Sequence, residues 1–254
     1  MQVTRHILYD ILRNRIMLAY ALFMLLVSLT LFQMENDTDK AILSLLTIVL
    51  LVTPLISIVF STIHYYNSYE FFELLLAQPL SRTRLFLSEY AGVAGSLLLA
   101  FLIGMGLPVL LAVPDARGMA LVFTGSVLTL IFTSLGFLAS VVTRDKTRGM
   151  GISLLLWFYF ALLYDGLLLS ILFAFSDYPM EKWTLLMAAL NPIDLGRIFI
   201  MLQMDISALM GYTGAVYKDF FGSMAGLLFT GGIMLVWVLL PLWIATRKFC
   251  RKDL

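Results

Sequence analysis

Residues 64–84 read His64-Tyr65-Tyr66-Asn67-Ser68-Tyr69-Glu70-Phe71-Phe72-Glu73-Leu74-Leu75-Leu76-Ala77-Gln78-Pro79-Leu80-Ser81-Arg82-Thr83-Arg84. They separate two long apolar runs and are themselves amphipathic. Phe71, Phe72, Leu74, Leu75 and Leu76 surround Glu70 and Glu73, the pattern of a short helix over 66–78. Pro79 stops that helix, Ser81 can cap the next one, and Arg82 and Arg84 hold its start at the level of lipid headgroups. A bare loop between spans would not keep so many aromatics and leucines in water. A helix packed into a partner's groove accounts for them, and an apolar helix resting on lipid carries the same pattern.

The rest of the chain is a membrane sequence. Of 254 residues, 61% are hydrophobic and only 13% charged, against about half and a quarter in soluble domains. The net charge of +1 and the lack of a basic patch with interleaved aromatics give no reason to expect nucleic acid. The single cysteine, Cys250, precludes an internal disulfide. His6 and His64 are far apart, so neither a metal cluster nor a bis-histidine haem is expected. The sequence contains no GxxxxGK[ST] phosphate loop, so ATP hydrolysis is not expected in this chain.

Six apolar segments are near the roughly 20 residues that cross a bilayer: 16–34, 41–63, 90–113, 119–142, 150–175 and 225–246. Residues 1–15 precede them as an amphipathic helix, with Ile7, Leu8, Ile11 and Leu12 on one face and Arg5, Asp10, Arg13 and Asn14 on the other. Its composition suits the membrane plane. The first span runs out into Glu35-Asn36-Asp37 without a small-residue cleavage site, so a retained anchor is expected.

A seventh apolar segment, 183–204, carries Asn191-Pro192-Ile193-Asp194-Leu195-Gly196-Arg197 at its centre. An Asp and an Arg near mid-bilayer each cost about 2.5–3.5 kcal/mol. The segment is therefore expected as partly buried helices within an external excursion, 176–224. Six spans put Arg5, Arg13, Arg15, Arg82, Arg84, Arg144, Lys146, Arg148, Arg247, Lys248, Arg251 and Lys252 on one side, against Lys40, Arg117, Lys182, Arg197 and Lys218 on the other. This bias predicts both termini in the cytoplasm.

Asp165, in Tyr159-Phe160-Ala161-Leu162-Leu163-Tyr164-Asp165-Gly166, is the acidic residue placed well inside a span. Intramembrane carboxylates face bundle interiors or wet cavities, so Asp165, with Tyr159 and Tyr164, is a candidate for a pathway or gate; a structural hydrogen bond is the competing reading. The 14 methionines suggest a Cu(I) path, but they are scattered and thioethers are ordinary packing material. Gly222, Gly226, Gly231 and Gly232 near the last span, and Gly104, Gly106 and Pro108 in the third, are packing or bending signals.

These features together resemble permeases of the ABC-2 exporter family. The segment joining the second and third spans in that family ends in Glu-Leu-Leu-Leu-x-x-Pro-x-Ser-Arg, matched here by Glu73-Leu74-Leu75-Leu76-Ala77-Gln78-Pro79-Leu80-Ser81-Arg82. Within the family the chain is similar to the membrane subunits that serve nitrous oxide reductase maturation. The similarity lies in the amphipathic stretch 64–84, in 157–168 around Asp165, and in Leu190-Asn191-Pro192-Ile193-Asp194-Leu195-Gly196-Arg197. The chain departs from the family at two places. Tyr69-Glu70-Phe71 stands where acidic residues and Gly-Thr are common, and Ser88-Glu89 replaces a frequent Gly-Lys.

The resemblance implies an all-α membrane protein with an N-terminal interfacial elbow helix, six transmembrane helices, a cytoplasmic coupling helix and an external helical segment between spans five and six. The whole chain would be one permease domain in the bacterial inner membrane. It implies a second copy of this chain and a separate ABC ATPase dimer that holds ATP and Mg. It also implies a periplasmic β-helix accessory protein of the NosD type. The coupling residues would be Glu70, Phe71, Phe72, Glu73, Leu74, Leu75, Leu76, Pro79 and Arg82; Asn191, Pro192, Asp194 and Arg197 would meet the accessory protein. The implied cargo is a sulfur-containing or copper-related factor for copper-sulfide centre assembly. An exporter of lipid, drug or ion, and a membrane anchor or redox subunit, are the competing functions.

Overall fold

The structure is a computed structural model and describes residues 14–35, 37–69, 81–143, 145–175, 186–204 and 224–251. Six of its helices are long and apolar enough to cross a membrane. In chain order the elements are α1 (Arg15–Met34), α2 (Thr38–Asn67), α3 (Arg82–Ala112), α4 (Ala116–Val142), α5 (Lys146–Ile171), a short α6 (Pro192–Gln203) and α7 (Met224–Cys250). Among the described residues there is no strand.

Several helix ends are written in the sequence. Asn14, Asp37, Asp115, Asp145 and Asn191 each occupy an N-cap and accept a backbone N–H from the first turn. Those bonds satisfy donors that a helix start otherwise leaves unpaired. The burial of the same donors within a membrane would be costly. Ser81 stands at the start of α3 as expected, but its hydroxyl makes no capping hydrogen bond. α3 already begins at Arg82, so two helical turns precede the apolar run that starts at Tyr90.

The bundle is organised around α4, whose apolar window is 72% buried, against 22% for α1 and 11% for α5. α4 touches α2, α3, α5, α6 and α7. Its small and hydroxyl residues make this possible. A Cβ on Gly136 would stand 2.0 Å from Ser61 Oγ and 2.8 Å from the Ile58 carbonyl, so α2 and α4 approach to backbone contact there. Thr129, Thr133 and Ser140 turn their hydroxyls back onto α4 carbonyls one turn earlier, which satisfies them without a second helix.

Around Gly104 and Gly106 the ladder of α3 widens into a π turn, Leu102–Gly106. A Cβ on Gly231 or Gly232 would meet nothing within 4 Å, so among the described residues this pair mediates no close helix contact. α6 is 12 residues long, about 18 Å at 1.5 Å per residue, too short for a core of roughly 30 Å. It nonetheless packs deep among the spans: a Cβ on Gly196 would meet Thr124 of α4 at 2.6 Å and Leu50 of α2 at 3.6 Å.

Candidate functional site

Two polar assemblies interrupt the apolar bundle. The first joins α5 to α6. Just before Asp165 the α5 ladder widens into a π turn over Tyr159–Leu163, with the Tyr164 N–H reaching back to the Tyr159 carbonyl. Such turns displace the regular backbone partners and are frequent at functional positions. The fully buried Asn191 side chain serves this irregular backbone. Its Nδ2 donates to the Phe160 carbonyl at 3.0 Å and to Asp194 Oδ2 at 3.0 Å, while Oδ1 caps α6 by accepting from the Ile193 N–H. Arg197 Nη1 then donates to Asp194 Oδ1 at 3.2 Å and to Asp165 Oδ2 at 2.8 Å.

The aromatic residues build the wall of this assembly. The Tyr164 hydroxyl donates to the Met187 carbonyl and Trp237 Nε1 to the Ala189 carbonyl, fixing the turn before α6 from two sides. Phe160 lies edge-on to Trp237, and Tyr159 edge-on to Tyr164. The Asp194 side chain is 10% exposed, whereas Asp165 and Arg197 each keep about a third of their surface, 31% and 32%.

Two carboxylates thus share one guanidinium. Burial, and then the Asp165 carboxylate beside it, push the Asp194 carboxyl up to about 7, although Arg197 pulls the other way. A carboxyl raised on folding stabilises the fold below its unfolded value near 4 and loses that contribution as pH rises through 7. The thermal midpoint of the detergent-solubilised chain is therefore expected to fall between pH 5 and 8. Asp194→Asn, which mimics the protonated acid, should flatten that slope by an amount on the order of 3 kcal/mol. Thermal aggregation followed across the pH series measures it; equal slopes for the two proteins would refute the assignment.

The second assembly lies where α2 ends and α3 begins, the two points between which the amphipathic stretch runs. His64 Nε2 is 3.3 Å from Glu89 Oε1, and the Glu89 side chain is 2% exposed. The Ser68 hydroxyl reaches the same carboxylate. Around the pair, Tyr65, Phe86, Tyr90, Phe137 and Phe249 interlock, four of their ring pairs edge-on. Tyr66 hydrogen-bonds Thr143 and Ser140 at the end of α4, Lys146 bonds Asn67, and Arg82 Nη1 donates to the Cys250 carbonyl of α7. Five spans are therefore tied together at this end.

Comparison with known proteins decides what such a bundle is. The family model described as ABC-2 family transporter protein matches residues 41–254, most of the chain. The chain belongs to the ABC-2 transporter permease family. It is 30% identical over 230 residues to a probable ABC transporter permease protein NosY of Pseudomonas aeruginosa, covering 82% of this chain and 84% of that one. It is 28% identical over 189 residues to the protein of the same name from Stutzerimonas stutzeri, covering 67% of this chain and 62% of the other. Permease subunits of this kind are not themselves catalytic, and the family implies a dimeric permease with an ATPase partner. Six apolar helices agree with a multi-pass membrane protein.

Of the residues expected to couple the permease to its motor, Arg82 is described, at the start of α3. Glu70, Phe71, Phe72, Glu73, Leu74, Leu75, Leu76 and Pro79 lie outside the described residues, as do 1–13 of the elbow helix and most of 176–224. The pathway candidates Asp165, Tyr159 and Tyr164 fall into one assembly with Asn191, Asp194 and Arg197, the residues that the resemblance places at the accessory protein. Asn191, Pro192 and Asp194 are buried in the chain, and the two polar ones spend their side chains inward; Arg197 retains an open edge. Sequence reasoning missed the role of Glu89. Its signal was available, because Glu89 shares the buried face of α3 with Leu85, Phe86, Val93 and Leu97 at helical spacing.

Proposed function

We propose that this permease is the membrane subunit of an ATP-driven transporter for nitrous oxide reductase maturation, moving a sulfur-containing or copper-related factor for copper-sulfide centre assembly. The similarity to the NosY permeases over most of the chain carries this reading. It sits in the bacterial inner membrane with both termini in the cytoplasm, an orientation that its cation bias supports. Two copies form the pathway, and the coupling helix over 66–78 docks in a groove of the ATPase. ATP-driven closure of the motor rocks that helix, and the tied ends of α2, α3, α4, α5 and α7 transmit the movement. Asp165 and Arg197 form the outer gate, and the open edge of Arg197 faces a periplasmic β-helix protein of the NosD type.

The docking is tested by co-purification. Phe72→Asp or Leu75→Asp places a carboxylate in the apolar contact and is expected to lower retention of the ATPase subunit at least tenfold while the permease still inserts. Full retention with unchanged transport-coupled ATP turnover would overturn the coupling assignment. The cargo is tested separately. A strain lacking this permease should accumulate nitrous oxide reductase without its copper-sulfide absorption; an intact centre would leave the permease fold standing and remove the maturation role.

A further inference from the structure

At the basic end of the bundle, α3 and α7 enclose an open cavity of about 500 Å³ lined by Thr83, Trp243, Thr246, Arg247, Cys250 and Arg251. Arg247 stacks its guanidinium over Trp243, 3.8 Å from the ring centroid. That contact positions the cation but leaves its charge uncompensated, and among the described residues no ion pair joins Arg247 or Arg251 to a carboxylate. Thr246 spends its hydroxyl on the Leu242 carbonyl. Thr83 has a 3.3 Å contact with Cys250 Sγ, a weak partner that a stronger acceptor can displace. Two guanidiniums and a hydroxyl beside a membrane-level indole are the groups that recognise a phosphate ester.

What lies along α7 distinguishes a lipid from a free phosphate. Val236, Leu239, Leu240 and Trp243 are all more than half exposed and recur at helical spacing towards Arg247. From Val236 to Arg247 this stripe measures about 16 Å, close to half of a roughly 30 Å hydrocarbon core. An acyl chain laid on the stripe brings its headgroup to the two arginines. We propose that this face of α7 is a binding site for an anionic phospholipid, with the headgroup phosphate held by Arg247, Arg251 and Thr83 and one acyl chain along Val236, Leu239 and Leu240. Because Arg82 on the same edge bonds the Cys250 carbonyl, an occupied site would steady the start of α3, where the amphipathic stretch ends.

The proposal does not depend on the cargo or on the ATPase, and its test uses neither. The full chain is purified in mild detergent with equal amounts of phosphatidylglycerol and phosphatidylcholine, and retained lipid is counted by native mass spectrometry. The wild type is expected to hold phosphatidylglycerol at least tenfold over phosphatidylcholine, and Arg247→Gln with Arg251→Gln to remove the preference. Leu239→Asn with Leu240→Asn, both exposed, should lower retention of either lipid at least fivefold. Equal retention of the two lipids by the wild type, or a preference that survives the double arginine variant, overturns the site. Displacement by millimolar inorganic phosphate together with indifference to the leucine variants would assign it to a free phosphate instead. A shift in the monomer–dimer balance at constant lipid count would assign the face to a second copy, which also overturns the proposal.

Discussion

Arg197→Ala is expected to cost the permease about 2–3 kcal/mol. Removing one partner of a fully buried ion pair costs about 3–5 kcal/mol, because the other charge is left behind. Two features reduce that figure here. Arg197 and Asp165 are each about a third exposed, and Asp194, already pushed up to about 7, escapes part of the penalty by taking a proton. The loss should therefore grow with pH, and a thermal midpoint depressed by several degrees at pH 8 should be depressed less at pH 5. Adding Asp194→Asn to Arg197→Ala removes one of the stranded carboxylates and should recover more than half of the loss, a coupling that a double-mutant cycle isolates. Strictly additive effects would mean that the three side chains do not act as one unit. Transport should suffer beyond what stability explains, because the same guanidinium joins the irregular turn of α5 to α6. Asp165→Asn retains the hydrogen bond but loses the charge, and so separates anchoring from an electrostatic role in the pathway.

How far this assembly could be read beforehand depends on which of its constraints are local. The six spans follow from uninterrupted apolar length, and the exclusion of 183–204 as a seventh follows from the cost of Asp194 and Arg197 in hydrocarbon. The structure shows how that cost is met. α6 starts at the Asn191 cap, Pro192 occupies its first turn, and Arg197 is satisfied by two carboxylates. The capping half of this arrangement is visible in Asn191-Pro192, since Asn before Pro is a helix-start signal. The pairing half is not, because Asp165 and Arg197 are 32 residues apart and nothing local specifies which intramembrane acid meets which base. The π turn over Tyr159–Leu163 is equally opaque, since its five residues are ordinary span residues and the partner of the Phe160 carbonyl, Asn191, is 31 residues away. The small residues of α4 show the reverse case. Gly125 and Gly136 sit among apolar neighbours that give no hint of their partners, yet their Cβ-free faces set how closely Phe101 and Ser61 approach.

Glu89→Lys is expected to prevent accumulation of the folded permease. The substitution would put a cation on the buried face of α3, in a site that holds an acid beside an imidazole. Glu89 lies on the buried face of α3 between Phe86 and Val93, with His64 at 3.3 Å. A lysine there would bury a cation beside an imidazole, and among the described residues no carboxylate lies within reach of that position; the cost is about 3–5 kcal/mol, comparable to much of the stability of a small domain. Glu89→Gln keeps the shape and a hydrogen-bonding atom and should cost only about 1 kcal/mol, which makes it the variant for function. His64→Ala strands the carboxylate, and His64→Ala with Glu89→Gln should be milder than His64→Ala alone. Yield of monodisperse protein and thermal midpoint in detergent check the series; normal yield and stability for Glu89→Lys would show that the pair is not a structural tie. If it is, Glu89→Gln tests what the tie is for. His64 lies near the end of α2 and Glu89 near the start of α3, so loosening the pair lets those two helix ends move independently. Coupled ATP turnover should then fall severalfold in a permease that is folded and still retains its motor. A passive packing contact would instead leave turnover in step with stability.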